Sequence, residues 1–282
     1  MEKRECLLKL FFMGIPISVL RKYLLLDKEL EHVEDFLKKA DLQLNRSSIS
    51  FLTQYNSLPL SSTLNQLEKQ SISVITSFDD FFPQLLKHIP QDPFILFCKG
   101  DLSLLKAGPK VSIVGSRTIT TYSKKMIQLS VPSLTNKDVM IVSGLAKGVD
   151  EAVHRCAIEN GGKTIGVLPA GFNYLYPKEN IPLIKFMMNH HLVISEFPPW
   201  IPIKPWHFPY RNRIISGLTK GTYIIQAAKS SGSLSTATHA INQGKDVWVA
   251  PAPFFEKEYE GNFQLLDEGV PVATPNSLKD YF

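Results

Sequence analysis

The sequence predicts an α/β protein, a doubly wound parallel sheet preceded by a small all-helical module. Three observations predict it. Six short runs rich in Val, Ile or Leu recur between residues 111 and 250. Segments with a period near 3.6 separate those runs. The first 70 or so residues, by contrast, carry helical patterns. Repeated strand–helix–strand units imply a parallel sheet with helices on both faces.

In chain order, Leu7–Phe12 reads as a helix closed by Gly14 and Pro16, Ser18–Leu26 as a second, and Glu31–Leu37 as a third. Asn45–Thr63 is rich in Ser, Thr and Asn and apolar only in patches, which places a boundary between about 60 and 75. The expected domains are therefore 1–70 and 71–282. With ten basic and nine acidic residues, the helical module is not tuned for a polyanion, and packing or protein contact is its default role. After a strand-like preamble at Phe94–Cys98, strands are expected at Val111–Val114, Val139–Val142, Thr164–Leu168, Leu192–Ser195, Tyr223–Gln226 and Val247–Ala250. Such runs suit strands buried on both faces. Helices are expected at Ser123–Leu134, Lys147–Glu159, Glu179–Met188, Arg211–Leu218 and Leu234–Asn242.

Composition narrows the function. At 44% hydrophobic and 20% charged residues the 282-residue chain is globular rather than disordered. It has no apolar run long enough to span a membrane and no signal-peptide pattern, so a soluble, cytoplasmic protein is expected. Cys6, Cys98 and Cys156 are too few and too scattered for a disulfide framework or a metal clip. Net charge is only +5, but the acids are unevenly spread. No Asp or Glu occurs between Glu196 and Asp246, where Lys204, Arg211, Arg213, Lys220, Lys229 and Lys245 lie. None occurs between Asp101 and Asp138 either, where six more cations include Lys110 and Arg117, and Asn160–Lys178 is a third acid-free stretch. Brought together, these stretches would form a positive groove for a phosphate-bearing ligand; dispersed, they are chance clusters on separate faces.

Open α/β sheets bind ligands beyond the carboxyl ends of their strands. The first strand there ends in Gly115-Ser116-Arg117: a glycine for close approach, amides for an oxyanion, a forked cation for phosphate. The second ends in Ser143-Gly144-Leu145-Ala146-Lys147-Gly148 and the fifth leads to Ser231-Gly232-Ser233, each opening a helix. One such turn is commonly just a tight turn; three in register point to an anion site. The GxGxxG motif and ribose-binding acid of a dinucleotide fold are missing, Gly161-Gly-Lys-Thr precedes a strand rather than a helix, and neither HExxH nor Gly-x-Ser-x-Gly occurs. Asp150 and Glu151 fall inside a helix and only Glu196 closes a strand, which weakens the case for hydrolysis.

Residues 197–213 hold prolines at 198, 199, 202, 205 and 209, aromatic residues at 200, 206, 208 and 210, and Lys204, His207, Arg211 and Arg213 among them. The prolines read as a stiff loop. Rings interleaved with cations suit single-stranded nucleic acid, whose bases stack while its phosphates pair; alternatively, the rings cap the hydrophobic core, a role expected of Phe208.

Taken in order, Ile113-Val-Gly-Ser-Arg, Ser143-Gly-Leu-Ala-Lys-Gly-Val-Asp, Gly171 with Tyr176-Pro-Lys, His207-Phe-Pro-x-Arg-Asn-Arg-Ile-Ile-Ser-Gly-Leu, Ser231-Gly-Ser-Leu and Gly261-Asn-x-x-Leu-Leu resemble the DprA/Smf family of DNA-processing proteins of natural transformation. The resemblance spans roughly Ser73 to the C-terminus. It implies an extended Rossmann fold with a sterile-alpha-motif-like (SAM-like) N-terminal module, and a non-enzymatic mediator without cofactor. Such a mediator binds and protects incoming single-stranded DNA, loads the RecA recombinase and forms a homodimer through the C-terminal part of the Rossmann domain. The three turns offer Gly115, Ser116, Arg117, Ser143, Gly144, Lys147, Gly148, Ser231, Gly232 and Ser233 as DNA-binding residues; the resemblance implies Arg117 as a phosphate ligand and adds Lys178, Lys204, Phe208, Arg211 and Asn212. Gln226, Ser230 and Pro251-Ala252 depart from the family pattern, at positions where an acid, an Arg and Pro-Gly are usual. A nucleotide-cleaving hydrolase of the lysine-decarboxylase-like fold is the alternative, but its Pro-Gly-Gly-x-Gly-Thr motif and following glutamate are not matched by Ser231-Gly-Ser-Leu-Ser-Thr.

Overall fold

The computed structural model describes residues 2–43 and 50–282. These fall into two compact units, Met1–Asp80 and Phe81–Phe282. The first contains helices α1 (Lys3–Phe12), α2 (Ile17–Leu26), α3 (Val33–Gln43), α4 (Phe51–Ser57) and α5 (Leu60–Lys69), followed by strand β1 (Ser73–Thr76). Strand β1 belongs to this unit because it packs on α1 and α5. Leu7, Leu8, Leu10, Leu20 and Leu37 are completely buried at helical spacing, each contributing about 1.5–3 kcal/mol of apolar burial. The stretch Asn45–Thr63, expected to be irregular, holds α4 and the start of α5; Asn45–Ile49 lie outside the described residues. Its polar residues act as caps there: the Ser50 hydroxyl accepts from the Thr53 amide at 3.1 Å, while Phe51 and Tyr55 supply the buried face.

The second unit contains β2 (Ile95–Gly100), β3 (Lys110–Gly115), α6 (Thr121–Thr135), β4 (Met140–Ser143), α7 (Val149–Glu159), β5 (Thr164–Val167), α8 (Ile181–His190), β6 (Leu192–Ser195), α9 (His207–Gly217), β7 (Gly221–Gln226), α10 (Gly232–Asn242), β8 (Asp246–Val249), α11 (Glu260–Asp267) and α12 (Pro275–Leu278). Its strands lie in the order β2-β6-β5-β4-β3-β7-β8. Neighbours from β6 to β8 run parallel, with Val111 opposite Ile141 on one side and Gly221 on the other. Edge strand β2 is antiparallel to β6, pairing Phe97 with Ser195 and Gly100 with Leu192. All six expected strands of the doubly wound sheet are present. Every residue of β4, β5, β6 and β7 is buried, as their unbroken apolar runs require.

One face of the sheet packs on α6, α7 and α12 through Val111, Ile113, Ile127, Val131, Leu134, Val153, Tyr223 and Trp248. The Tyr223 hydroxyl, drawn into this core, donates to the Ala273 carbonyl at 2.9 Å. Helix α9 begins at His207, four residues earlier than the sequence reading. Pro209 falls in its first turn, where a backbone N–H has no intrahelical acceptor, so the proline costs no hydrogen bond.

Candidate functional site

The chain winds one way from β3 through β4, β5 and β6 and the other way through β7 and β8, so the switch point lies between β3 and β7. A cavity of about 860 Å³ opens there. Its walls are Gly115, Ser116 and Arg117 after β3, Ala146 and Asp150 around the start of α7, Tyr176, Ile203 and Pro205, then Phe208, Arg211 and Asn212 of α9, and Ser230–Ser233 at the start of α10. Nine residues expected at the site thus converge: Gly115, Ser116, Arg117, Phe208, Arg211, Asn212, Ser231, Gly232 and Ser233.

The turn after β3 is clamped from beneath by Gln226. Its carbonyl accepts from the Ser116 amide at 2.8 Å, its Oε1 accepts from the Thr120 amide at 3.1 Å, and its Nε2 donates to the Thr118 carbonyl at 2.9 Å. A side-chain amide fills both roles at once, which gives Gln226 a definite task where an acid is usual. The Thr118 amide donates to the Ser116 hydroxyl at 3.1 Å. The Ser116 and Thr118 amides are therefore spent on the turn, and Arg117 is left exposed at the cavity.

The turn after β4 plays a different part from the one expected. The Ser143 hydroxyl is buried and donates to the Ile113 carbonyl at 2.7 Å, and the Gly144 carbonyl accepts from His154 Nε2 at 2.7 Å. Lys147 is exposed and pairs with Glu179 at 2.7 Å. Gly148, at φ +83°, passes so close to the next turn that an added Cβ would meet the Arg117 carbonyl oxygen at 2.6 Å. The Val149 amide donates to the Ser116 carbonyl at 3.1 Å. This turn braces the Arg117 turn, and only Ala146 and Asp150 beside it reach the cavity.

At the third turn Ser231 caps α10: its hydroxyl accepts from the Ser233 amide at 3.3 Å and lies 2.7 Å from the Ser233 hydroxyl. Asn212 Nδ2 donates to the Gly232 carbonyl at 3.3 Å and so ties α9 to this terminus. A side chain at Gly232 would point into open space, so the positive end of α10 is approachable from the cavity.

Arg211, read from the sequence as a counter-charge, is 5% exposed and forms part of the cavity floor. It donates to the Val167 carbonyl and, through Nε, to Asn212 Oδ1 at 3.2 Å. Burial pulls its pKa down to about 10, against the attraction of Asp150. Asp150 is itself 7% exposed; burial raises its carboxyl pKa, opposed by Arg211, the Ala146 amide, Ser143 and Arg117. In the sequence Asp150 looks like any in-helix acid. The available signal was its place in the first turn of a helix that starts at a strand exit.

The aromatic stretch divides in two. Phe197 is buried and stacks on His207 at 4.1 Å, Trp206 meets His207 edge-on at 4.2 Å, and Arg213 lies 4.0 Å from the centre of the Tyr210 ring. Arg213 is 2% exposed, with one nitrogen 2.6 Å from each oxygen of Glu196, so it is a core ion pair rather than a surface cation. Phe208 faces the other way, into the cavity, with the Arg117 guanidinium 5.2 Å from its ring and Tyr176 edge-on at 5.9 Å. It shapes the cavity instead of capping the core. Lys178 and Lys204 are exposed, two residues from Tyr176 and between Ile203 and Pro205 respectively. Lys110 and Lys245, counted among the acid-free stretches, are spent internally: one donates to the Ala107 carbonyl, the other to those of Ser216 and Gly217.

Among the described residues no group of three or more His, Cys, Asp or Glu could hold a metal ion, and no helix is long and apolar enough to cross a membrane. The fold and site thus define a doubly wound α/β protein whose switch point holds a cavity with an exposed arginine, a helix N-terminus and an aromatic wall. Residues 73–280 match the DNA recombination-mediator protein A family, and the chain belongs to it. It is 40% identical over 214 residues to the DNA processing protein DprA of Bacillus subtilis, covering 76% of this chain and 71% of that one. To the Streptococcus pneumoniae DprA it is 39% identical over 236 residues, covering 83% and 82%. The X-ray structure of the pneumococcal protein superposes with a TM-score of 0.82 at 35% identity over 94% of this chain and 93% of that one. The Helicobacter pylori DNA processing protein A, whose structure describes a single-stranded DNA binding mode, gives 0.68 at 28% identity over 74% and 94%. The protein is therefore a recombination mediator of DNA processing.

Proposed function

We propose that the cavity at the β3/β7 switch point binds the backbone of single-stranded DNA. The observation that carries this reading is the convergence of Arg117, the open N-terminus of α10 and the Phe208–Tyr176 wall on one space. A phosphate lies between the guanidinium and the helix terminus, where both favour an anion. A base stacks on the exposed aromatic wall, a contact available to single strands whose bases are not paired. Lys178 and Lys204, exposed on segments that contribute to the cavity, supply further counter-charge along the strand. The single-stranded DNA binding of the Helicobacter pylori relative supports the same reading.

In this reading the protein is a non-enzymatic mediator that protects incoming single strands and hands them to RecA during transformation. The dimer and RecA surfaces lie around Thr238–Gln243 and Phe263–Leu278, where Ile241 is half exposed. Titrating fluorescent oligothymidine binding against salt tests the DNA claim. The log–log slope should be about −0.7 per phosphate contacted. A slope near zero, or equal affinity for duplex, refutes it. Release of free base from nucleoside monophosphates would refute the non-enzymatic part and favour the hydrolase.

A further inference from the structure

Among the residues lining the cavity three carry formal charge: Arg117, Arg211 and Asp150. Building on the DNA-binding reading, we infer that Asp150 sets the charge the cavity accepts, so that it takes the single charge of an internal phosphodiester in preference to the double charge of a phosphate monoester. The geometry keeps the carboxylate in the wall. A Cβ on Gly144 would fall 2.6 Å from Arg211 Nη2 and against Asp150 Oδ2, so both groups are packed on the same glycine. Arg211 is held in place by the Val167 carbonyl through Nη1 and by Asn212 through Nε. Asp150 accepts a long 3.4 Å hydrogen bond from the Ala146 amide and is also held by the Ser143 hydroxyl. It is held by the field of the two arginines and cannot swing into solvent without leaving Arg211 buried and uncompensated.

Two guanidiniums and one carboxylate leave one positive charge, which a diester cancels. A dianion would place one surplus negative charge against a wall in which the Asp150 carboxylate is 7% exposed and stays put. The partial positive charge at the α10 terminus attracts the dianion about twice as strongly, a gain that the carboxylate's repulsion and the dianion's larger desolvation cost oppose. Asp150 is thus a repulsive specificity element rather than a ligand. It lets the protein engage a strand along its length without being captured by free nucleotides or phosphorylated ends.

The test uses the full chain with fluorescent, unphosphorylated oligothymidine at pH 8, displaced by thymidine 5′-monophosphate or its monomethyl ester. The monophosphate is dianionic there, its second pKa being about 6. Wild-type protein should be displaced more readily by the ester. In Asp150→Asn the monophosphate should gain about tenfold or more, the ester distinctly less, so the preference collapses. Equal gains for both competitors overturn the inference, as does displacement of the wild type by both equally, by neither, or more readily by the monophosphate. The wild-type comparison decides the matter even if Asp150→Asn does not fold. Failure of wild type to bind oligothymidine at all would be a different result, against the DNA-binding reading itself.

Discussion

Replacing Gly148 with alanine should cost both stability and DNA binding, and the size of the loss follows from the turn geometry. Gly148 sits at φ +83°, ψ −123°, a region open essentially to glycine alone, so a side chain there carries about 1–3 kcal/mol of backbone strain. The new Cβ would also lie 2.6 Å from the Arg117 carbonyl oxygen and 2.7 Å from its carbon, both backbone atoms that cannot rotate aside. Overpacking of this kind adds about 1–3 kcal/mol. The two effects sum to about 2–6 kcal/mol, well above the roughly 0.5 kcal/mol of an ordinary surface change. Trp200, Trp206 and Trp248 all fall within Phe81–Phe282, so tryptophan fluorescence during urea unfolding reports on the unit that contains the site. A loss below about 0.5 kcal/mol would refute the steric argument. A full loss of stability with unchanged oligothymidine affinity under native conditions would refute the claim that this turn braces Arg117.

Four further outcomes follow from the same geometry. Arg117→Ala should weaken binding to all single-stranded sequences alike and make the salt slope shallower by about 0.7, because phosphate contacts carry no base information; sequence-dependent losses would contradict it. Phe208→Ala removes a stacking face that also carries the Arg117 guanidinium and should cost about 1–3 kcal/mol of oligothymidine affinity, measured by anisotropy. Glu196→Gln leaves Arg213 buried without its counter-charge and should lower unfolding stability by about 3–5 kcal/mol in urea. His154 is completely buried, and burial pulls its pKa from 6.5 down to about 4. The unfolded chain therefore binds the extra proton between those values, so stability falls as pH drops from about 6.5 to about 4; in His154→Asn that slope should shrink by about one proton.

Much of the fold was legible because the sheet is buried on both faces, which leaves no choice but unbroken apolar runs such as Leu192–Ser195, whose bounds match the observed strand residue for residue. Strand direction was less legible. The run at Phe94–Cys98 reads as a strand, but nothing local tells that it pairs antiparallel with β6. Proline misled at α9, since Pro209 breaks a helix only beyond its first turn. Polar residues hid α4, because Ser50 reads as a loop residue until its hydroxyl is seen capping the helix. At the site, the sequence located the turns but not their division of labour. Ser143 and Ser231 look equivalent in a string of letters, yet one hydroxyl is bonded inside the sheet and the other caps a helix at the cavity. Charge was the least legible property. Arg117, Arg211 and Arg213 are alike in sequence, while burial and the partners Asp150 and Glu196 leave Arg117 as the exposed one.

The most direct test is a crystal structure of the full chain with oligothymidine. The account predicts a phosphate within about 4 Å of the Arg117 guanidinium and over the first turn of α10, with its base against Phe208. Ordered DNA on another face, with protein side chains alone filling the space between Arg117 and Gly232, would contradict it.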